Sequence, residues 1–136
     1  MTYTVQNIGP GEANPTWNDR VYLSSDGTAA GAGLLGTASR TEVLNGGGTY
    51  DVSVDAILPI VPDGLYQVVV VADDGDLVFE GPMENNNELA SIPFSIGHPD
   101  LAVAIDGFPA TATSGDTVTL DFTVTNNGTS VTRDAW

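Results

Sequence analysis

Residues 49–56, TYDVSVDA, set Tyr50, Val52, Val54 and Ala56 in strict alternation with Thr49, Asp51, Ser53 and Asp55. Successive side chains of a strand point to opposite faces, so a period of two describes a strand with one buried and one wet face. The pattern returns towards the C-terminus, where Val118, Leu120, Phe122 and Val124 alternate with Thr117, Thr119, Asp121 and Thr123. Residues 65–72, LYQVVVVA, are almost continuously apolar, as expected of a central strand covered on both sides. By the same patterning, strands are expected at 2–7, 20–24, 34–39, 49–57, 65–72, 89–96, 101–106 and 117–125. Turn chemistry separates them at Ser25-Asp26-Gly27, Asn45-Gly46-Gly47-Gly48, Asp63-Gly64, Asp74-Gly75, Ser114-Gly115-Asp116 and Asn127-Gly128. No stretch shows helical period with a cap. Short strands at this spacing predict an all-β, immunoglobulin-like antiparallel β-sandwich.

The core follows from the same alternation. Tyr50, Val52, Val54, Tyr66, Val68, Val70, Ile92, Phe94 and Trp17 are expected inside, with Asp51, Ser53 and Asp55 in water. In Pro62-Asp63-Gly64-Leu65-Tyr66-Gln67-Val68, Tyr66 has the place of the tyrosine that fastens a corner of such sandwiches by bonding upstream backbone. Val68 then takes the core position two residues on, and Trp17 is expected to enter the core beside them. These are structural roles, because buried aromatics dominate core energetics.

Residues 2–17, TYTVQNIGPGEANPTW, recur without a gap as residues 121–136, DFTVTNNGTSVTRDAW, at an offset of 119 positions. Thr4/Thr123, Val5/Val124, Asn7/Asn126, Gly9/Gly128 and Trp17/Trp136 are identical, and Tyr3/Phe122 is conservative. A self-match at one fixed offset is the mark of tandem modules. The chain is therefore expected to comprise a module over 1–97 that lacks its first strand, followed over 98–136 by the first two strands of the next repeat. Those surplus strands present Leu101, Val103, Ile105, Val118, Leu120, Phe122 and Val124 as an assembly surface for a neighbouring copy. Only Gly97 to Pro99 join Ile96 to Asp100, a reach of roughly 10–14 Å at about 3.4 Å per residue, short of a strand length of ~20 Å. Self-closure in the native strand direction is not expected.

Composition narrows the partners. Three Lys+Arg stand against 18 Asp+Glu in 136 residues, for a formal charge of −15, which excludes a phosphate-backbone partner. Cysteine is absent, and with it disulfide, thiolate and cysteine-zinc chemistry. No apolar run reaches the roughly 20 residues of a membrane span, and no basic-then-apolar signal follows Met1.

The series Trp17-x-Asp19-x-Val21-Tyr22-Leu23-Ser24-x-Asp26, then Leu35-Gly36, Gly48-x-Tyr50, Gly64-x-Tyr66-x-Val68, Val78-x-Glu80 and Glu84-x-Asn86-Asn87 resembles the CARDB family, named for cell-adhesion-related proteins of bacteria and also found in archaea. The likeness runs over residues 1–96 and resumes at Asp100-Leu101, with Ser114-Gly115-Asp116-x-Val118 and Thr123-Val124-x-Asn126-x-Gly128-Thr129 matching a module opening. It implies an immunoglobulin-like sandwich occurring in tandem in large secreted or surface-attached proteins, without catalysis of its own. Two departures stand out. Gly27 to Gly33, GTAAGAG, lacks the further acids many members carry there, which bears against calcium at that loop, and one extra residue separates Glu80 from the Glu84-Asn85-Asn86-Asn87 cluster.

Other patterns offer chemistry of uneven weight. Gly31-Ala-Gly33-Leu-Leu-Gly36 satisfies G-x-G-x-x-G but lacks the following helix that dinucleotide binding requires. His98 is the only imidazole and has no nucleophile elbow or second histidine to join. Asp73, Asp74, Asp76, Glu80 and Glu84 supply the oxygen ligands that calcium prefers, without the spacing of an EF-hand loop, and compete with the simpler reading of a solvated hairpin tip. Asn127-Gly128-Thr129 is an N-glycosylation sequon in an expected turn, whereas Asn14-Pro15-Thr16 is barred by its proline.

These features predict a non-enzymatic structural or adhesion module of a repetitive extracellular or cell-surface protein. It needs no cofactor, calcium being the one cation its acids suit, and its partners are neighbouring copies of the same module. The alternatives are a ligand-binding adhesin module for glycan or protein, marked by an exposed aromatic or apolar platform, and an accessory module of a secreted hydrolase.

Overall fold

The computed structural model describes residues 1–132. Its strands are β1 (Thr2–Gln6), β2 (Trp17–Ser24), β3 (Gly33–Arg40), β4 (Thr49–Ser53), β5 (Gly64–Val71), β6 (Glu88–Ala90), β7 (Phe94–Ile96), β8 (Leu101–Gly107) and β9 (Asp121–Asn126), with a 3₁₀ turn at Gly81–Asn86. Every residue-by-residue strand register is antiparallel. The chain divides into two compact units, Met1–Ser95 and a second from Ile96 onward. Trp136, the partner of Trp17 in the repeat, lies outside the described residues.

In the first unit, β1 and β4 form one layer, and β3-β2-β5-β6 the other, with β7 also paired to β5. On β2 the odd positions Trp17, Asp19, Val21 and Leu23 are all buried. Trp17 packs with Ala13, Leu44 and Tyr50, flanked by Val5, Val52 and Val78, which joins the two layers at one end. Tyr66 donates its hydroxyl to the Pro62 carbonyl at 3.0 Å, closing the corner at the start of β5. Ser24, buried at the end of β2, accepts the backbone N–H groups of Asp26, Gly27 and Thr28, and Gly27 takes the left-handed conformation (φ 86°) that this turn requires.

Several expectations need correction. Trp17 lies beside Tyr50 rather than beside Tyr66 and Val68. The register sets Arg20 opposite Val71 and Ser24 opposite Gln67, so Trp17 belongs to the far end of β5 from Tyr66. On β5, Val68 and Val70 lie on the expected face, opposite Leu23 and Val21, but are only half-buried, whereas Val69, opposite Tyr22 on the other face, is wholly buried. Ile92 is 87% exposed instead of core. The expected strand 89–96 breaks at Ser91-Ile92-Pro93, because Pro93 has no N–H to give; Ser91 Oγ stands in as acceptor for the Val68 N–H at 3.0 Å, and Ile92 has the parity of Ala90 and Val69, on the face away from Val21. The fourth strand stops at Ser53, its ladder with β1 closing in the bonds between Val54 and Met1.

Residues 117–120 carry strand-like alternation but form no strand, so Val118 and Leu120 lie in the loop before β9. Alternation alone does not make a ladder. The residues across from them, beyond Gly107, turn away through Pro109 and a turn in which Thr113 and Asp116 bond each other. Gly33 to Gly36 are the start of β3, not a phosphate loop.

Candidate functional site

Two constructions stand out, one buried and one exposed. The buried one centres on Asp19, 1% exposed. Its Oδ1 accepts the Trp17 indole N–H (3.2 Å) and the Asp73 backbone N–H (3.2 Å), and its Oδ2 accepts the Tyr50 hydroxyl (2.7 Å) and the Tyr3 hydroxyl (3.4 Å). A buried carboxylate is tolerated only when its lone pairs are filled in this way. Burial, reinforced by the Asp19 charge and hydrogen bond, pushes the phenols of Tyr3 and Tyr50 well above the ordinary tyrosine range. The Arg40 guanidinium stands 4.7 Å from the centre of the Tyr50 ring, a cation–π distance. A cleft of about 260 Å³ bounded by Asp19, Arg40, Tyr50 and Asp51 opens beside this network. Four donors occupy Asp19, and they tie β1, β2, β4 and the loop after β5 together. The sequence carried a signal for this role: in W-x-D-x-V-x-L the acid falls on the buried parity of the strand.

The acid run is likewise engaged with the protein. Asp73, itself buried, accepts the N–H groups of Leu77 (3.1 Å) and Val78 (2.7 Å). Asp74 bonds the Arg20 guanidinium and the Tyr22 hydroxyl, both at 2.7 Å. Glu84 accepts the Glu80 N–H, and Glu80 accepts the Asn87 amide. Asp76 takes a left-handed turn position and donates its N–H to the Asp73 carbonyl. Among the described residues, no three acidic or histidine side chains converge as a cation site.

The exposed construction is a pair of strand edges. In an antiparallel ladder, alternate residues bond each neighbour. Met1 and Asn7 bond Val54, Gly47 and Gly48 on the β4 side, so the odd residues of β1 face β4, and Thr2, Thr4, Gln6 and Ile8 turn their N–H and C=O groups to the other edge. No strand lies along that edge among the described residues. In the second unit β9, the repeat of β1, pairs with β8 instead, Val124 opposite Val103 and Phe122 opposite Ile105. This hairpin leaves Val103 70% and Ile105 72% exposed, with Leu101, Phe122 and Val124 also open.

The repeat also conserves a local device. Asn7 Oδ1 accepts the Gly9 N–H at 3.0 Å and its Nδ2 donates to the Gly11 carbonyl; Asn126 Oδ1 accepts the Gly128 N–H at 3.0 Å and its Nδ2 donates to the Ser130 carbonyl. Each asparagine then makes one bond the other lacks: Asn7 donates to the Leu44 carbonyl, and Asn126 accepts the Asp100 N–H. The sequence displayed these two residues only as an identical pair. The side chain of Asn127 is exposed, and the backbone carbonyl of His98 accepts the N–H groups of Thr129 and Ser130.

An antiparallel two-layer sandwich with a tyrosine corner and no helix longer than a 3₁₀ turn among the described residues defines an immunoglobulin-like β module. The CARDB family profile matches residues 1–91, and the chain belongs to that family. No curated protein and no solved structure is detectably similar to it. No helix among the described residues is long and apolar enough to cross a membrane.

Proposed function

We propose that the chain is a non-catalytic structural module of a repetitive extracellular or cell-surface protein, spacing or adhering by end-to-end association with neighbouring copies. The observation that carries this reading is the repeat itself. A β1-like strand appears a second time as β9, in a hairpin whose apolar side chains lie open instead of packing in a core. A two-stranded hairpin alone is marginal in water, so these strands call for a further layer. Membership of an adhesion-related family supports the same reading, and the four donors on Asp19 speak against catalysis at this buried carboxylate beside its cleft. Electron microscopy and sedimentation of the full chain, beside a chain deleted for residues 99–136, test it. The full chain should form elongated polymers whose length rises with concentration, and the deletion should remain small. Polymers unchanged by the deletion would refute tail-mediated assembly.

A ligand-binding adhesin is the second reading, favoured by one observation: Phe79 is 92% exposed in the loop before the 3₁₀ turn, with Leu77 and Met83 also open. A Phe79→Ala chain that assembles normally yet loses retention on a glycan array would move the function to that loop.

A further inference from the structure

We infer that the free edge of β1 is a seat for β8 of a second copy of this chain, in the register that β8 already adopts on β9. The inference rests on the assembly reading and names the surfaces and residues that carry it. Shifting the observed β8–β9 pairs by the 119-residue repeat sets Ala102 opposite Gln6, Val103 opposite Val5, Ala104 opposite Thr4 and Ile105 opposite Tyr3.

Three independent features fit that register. The first is hydrogen-bond parity. Asn127 donates its N–H to the Asp100 carbonyl at 2.7 Å, so β9 addresses β8 through Asp121, Thr123, Thr125 and Asn127. Their counterparts in the repeat are Thr2, Thr4, Gln6 and Ile8, the residues whose backbone groups face the free edge of β1. The donors and acceptors that β8 needs are therefore already in place on β1.

The second is the asparagine device. Asn126 Oδ1 takes both the Gly128 N–H and the Asp100 N–H, whereas Asn7 Oδ1, in the same local geometry, takes only the Gly9 N–H. The remaining acceptor capacity of Asn7 matches the Asp100 N–H of an incoming β8. One bond of the hairpin has no counterpart: Thr129 donates to the His98 carbonyl, and its equivalent, Pro10, has no N–H. The register loses one bond at its end and keeps the ladder.

The third is what lies open on the facing layer. The layer β1-β4 is two strands wide and the layer β3-β2-β5-β6 is four. On the wider layer, Leu89 of β6 pairs with Val70 of β5, on the face to which buried Val21 also belongs, and yet Leu89 is largely exposed. A third strand beside β1 widens the narrow layer towards β6, and it brings Val103 and Ile105 to the same face as Val5 and Tyr3. β8 then exchanges a hairpin exposed on both sides for the edge of a sandwich. The exchange releases β9, which the loop from Phe108 to Leu120 permits. Thr4 would face two carboxylates, because its hydroxyl already donates to Asp51 (2.6 Å) and Asp106 bonds its counterpart Thr123. Association should therefore tighten as salt screens that pair.

The absence of cysteine makes the test clean. Full chains carrying Gln6→Cys and Ala102→Cys are mixed and oxidised. Opposed antiparallel residues lie at about 5.5 Å between Cα atoms, within disulfide range. The expected result is that the 6–102 heterodimer forms at least tenfold faster than either homodimer and than a pair shifted by two residues, Gln6→Cys with Ala104→Cys. Equal rates for all pairings overturn the register, and a chain carrying both Gln6→Cys and Ala102→Cys that closes on itself as a monomer overturns the second copy as occupant. Gln6→Pro provides a second arm: the N–H it removes faces the open edge, so the module should keep its melting temperature and lose assembly. Polymers that survive Gln6→Pro would leave the assembly reading standing and refute this seat. A full chain that never polymerises and never forms the 6–102 link refutes both.

Discussion

Replacing Asp19 with alanine should be the most damaging single change to the module. The substitution strands the Tyr50 hydroxyl and the Asp73 N–H in a buried setting, while the Trp17 N–H keeps a second acceptor in the Tyr50 oxygen at 3.2 Å and the longer Tyr3 contact loses least. A buried donor without a partner costs about 1–3 kcal/mol. Two of them, with the lost packing, bring the expected destabilisation to about 4 kcal/mol, against a total stability of about 5–15 kcal/mol for a small domain. Asp19→Asn retains one acceptor oxygen and should cost about 2 kcal/mol. Urea unfolding followed by Trp17 fluorescence in a Trp136→Phe background measures both, with Asp51→Ala as the exposed control, expected within about 0.5 kcal/mol of the parent. A loss below about 1 kcal/mol for Asp19→Ala, or one matched by Asp51→Ala, would refute the reading of Asp19 as the keystone of the core.

Three further outcomes are expected. Val69→Ala should cost about 2–3 kcal/mol, the removed methyl groups plus the cavity, whereas Ile92→Ala should stay within about 0.5 kcal/mol; thermal melts compare them. Tyr3 and Tyr50 titrate higher in the folded state than unfolded. Their contribution is complete below the ordinary tyrosine value of about 10 and is lost as pH rises above it, so urea midpoints should fall on the alkaline side, and a Tyr3→Phe, Tyr50→Phe chain should show a flatter decline. Calcium should move the melting temperature no more than matched ionic strength, because Asp73, Asp74, Glu80 and Glu84 already accept protein donors; a site saturated at 100 times its dissociation constant would add about 2.7 kcal/mol and show at once against chelator.

The antiparallel architecture was readable because period-two alternation is a property of each strand by itself. TYDVSVDA announced β4, and Tyr66 announced its corner through local spacing. What failed depended on partners. Residues 117–120 alternate as well as any strand, but a ladder needs a second chain segment at the right distance, and Pro109 with the turn at Thr113 and Asp116 withholds one. Ile92 looked buried from the alternation around Ser91-Ile92-Pro93, but the register with β5, which is not written in the segment itself, gives it the parity of Ala90 and Val69, away from Val21. Val68 and Val70 share the face of Leu23 and Val21, as the alternation predicts, and Val69 is buried on the opposite face beside Tyr22; a wholly apolar strand signals that both faces are covered but not which is covered more completely. At the candidate site, Asp19 was legible in principle from its buried parity on β2. The asparagine device was not, because its differing bonds, Leu44 for Asn7 and Asp100 for Asn126, run to segments far along the chain.

Amide hydrogen exchange along β1, measured on the full chain at dilute and at assembling concentrations, reads whether β8 of a second copy occupies the open edge. In the dilute chain, Tyr3, Val5 and Asn7 should exchange slowly through their bonds to β4, and Thr4, Gln6 and Ile8 rapidly from the open edge. On assembly, Thr4, Gln6 and Ile8 should become as protected as their neighbours. Assembled chains in which Thr4, Gln6 and Ile8 still exchange at the dilute rate would show that the edge of β1 stays empty in the polymer.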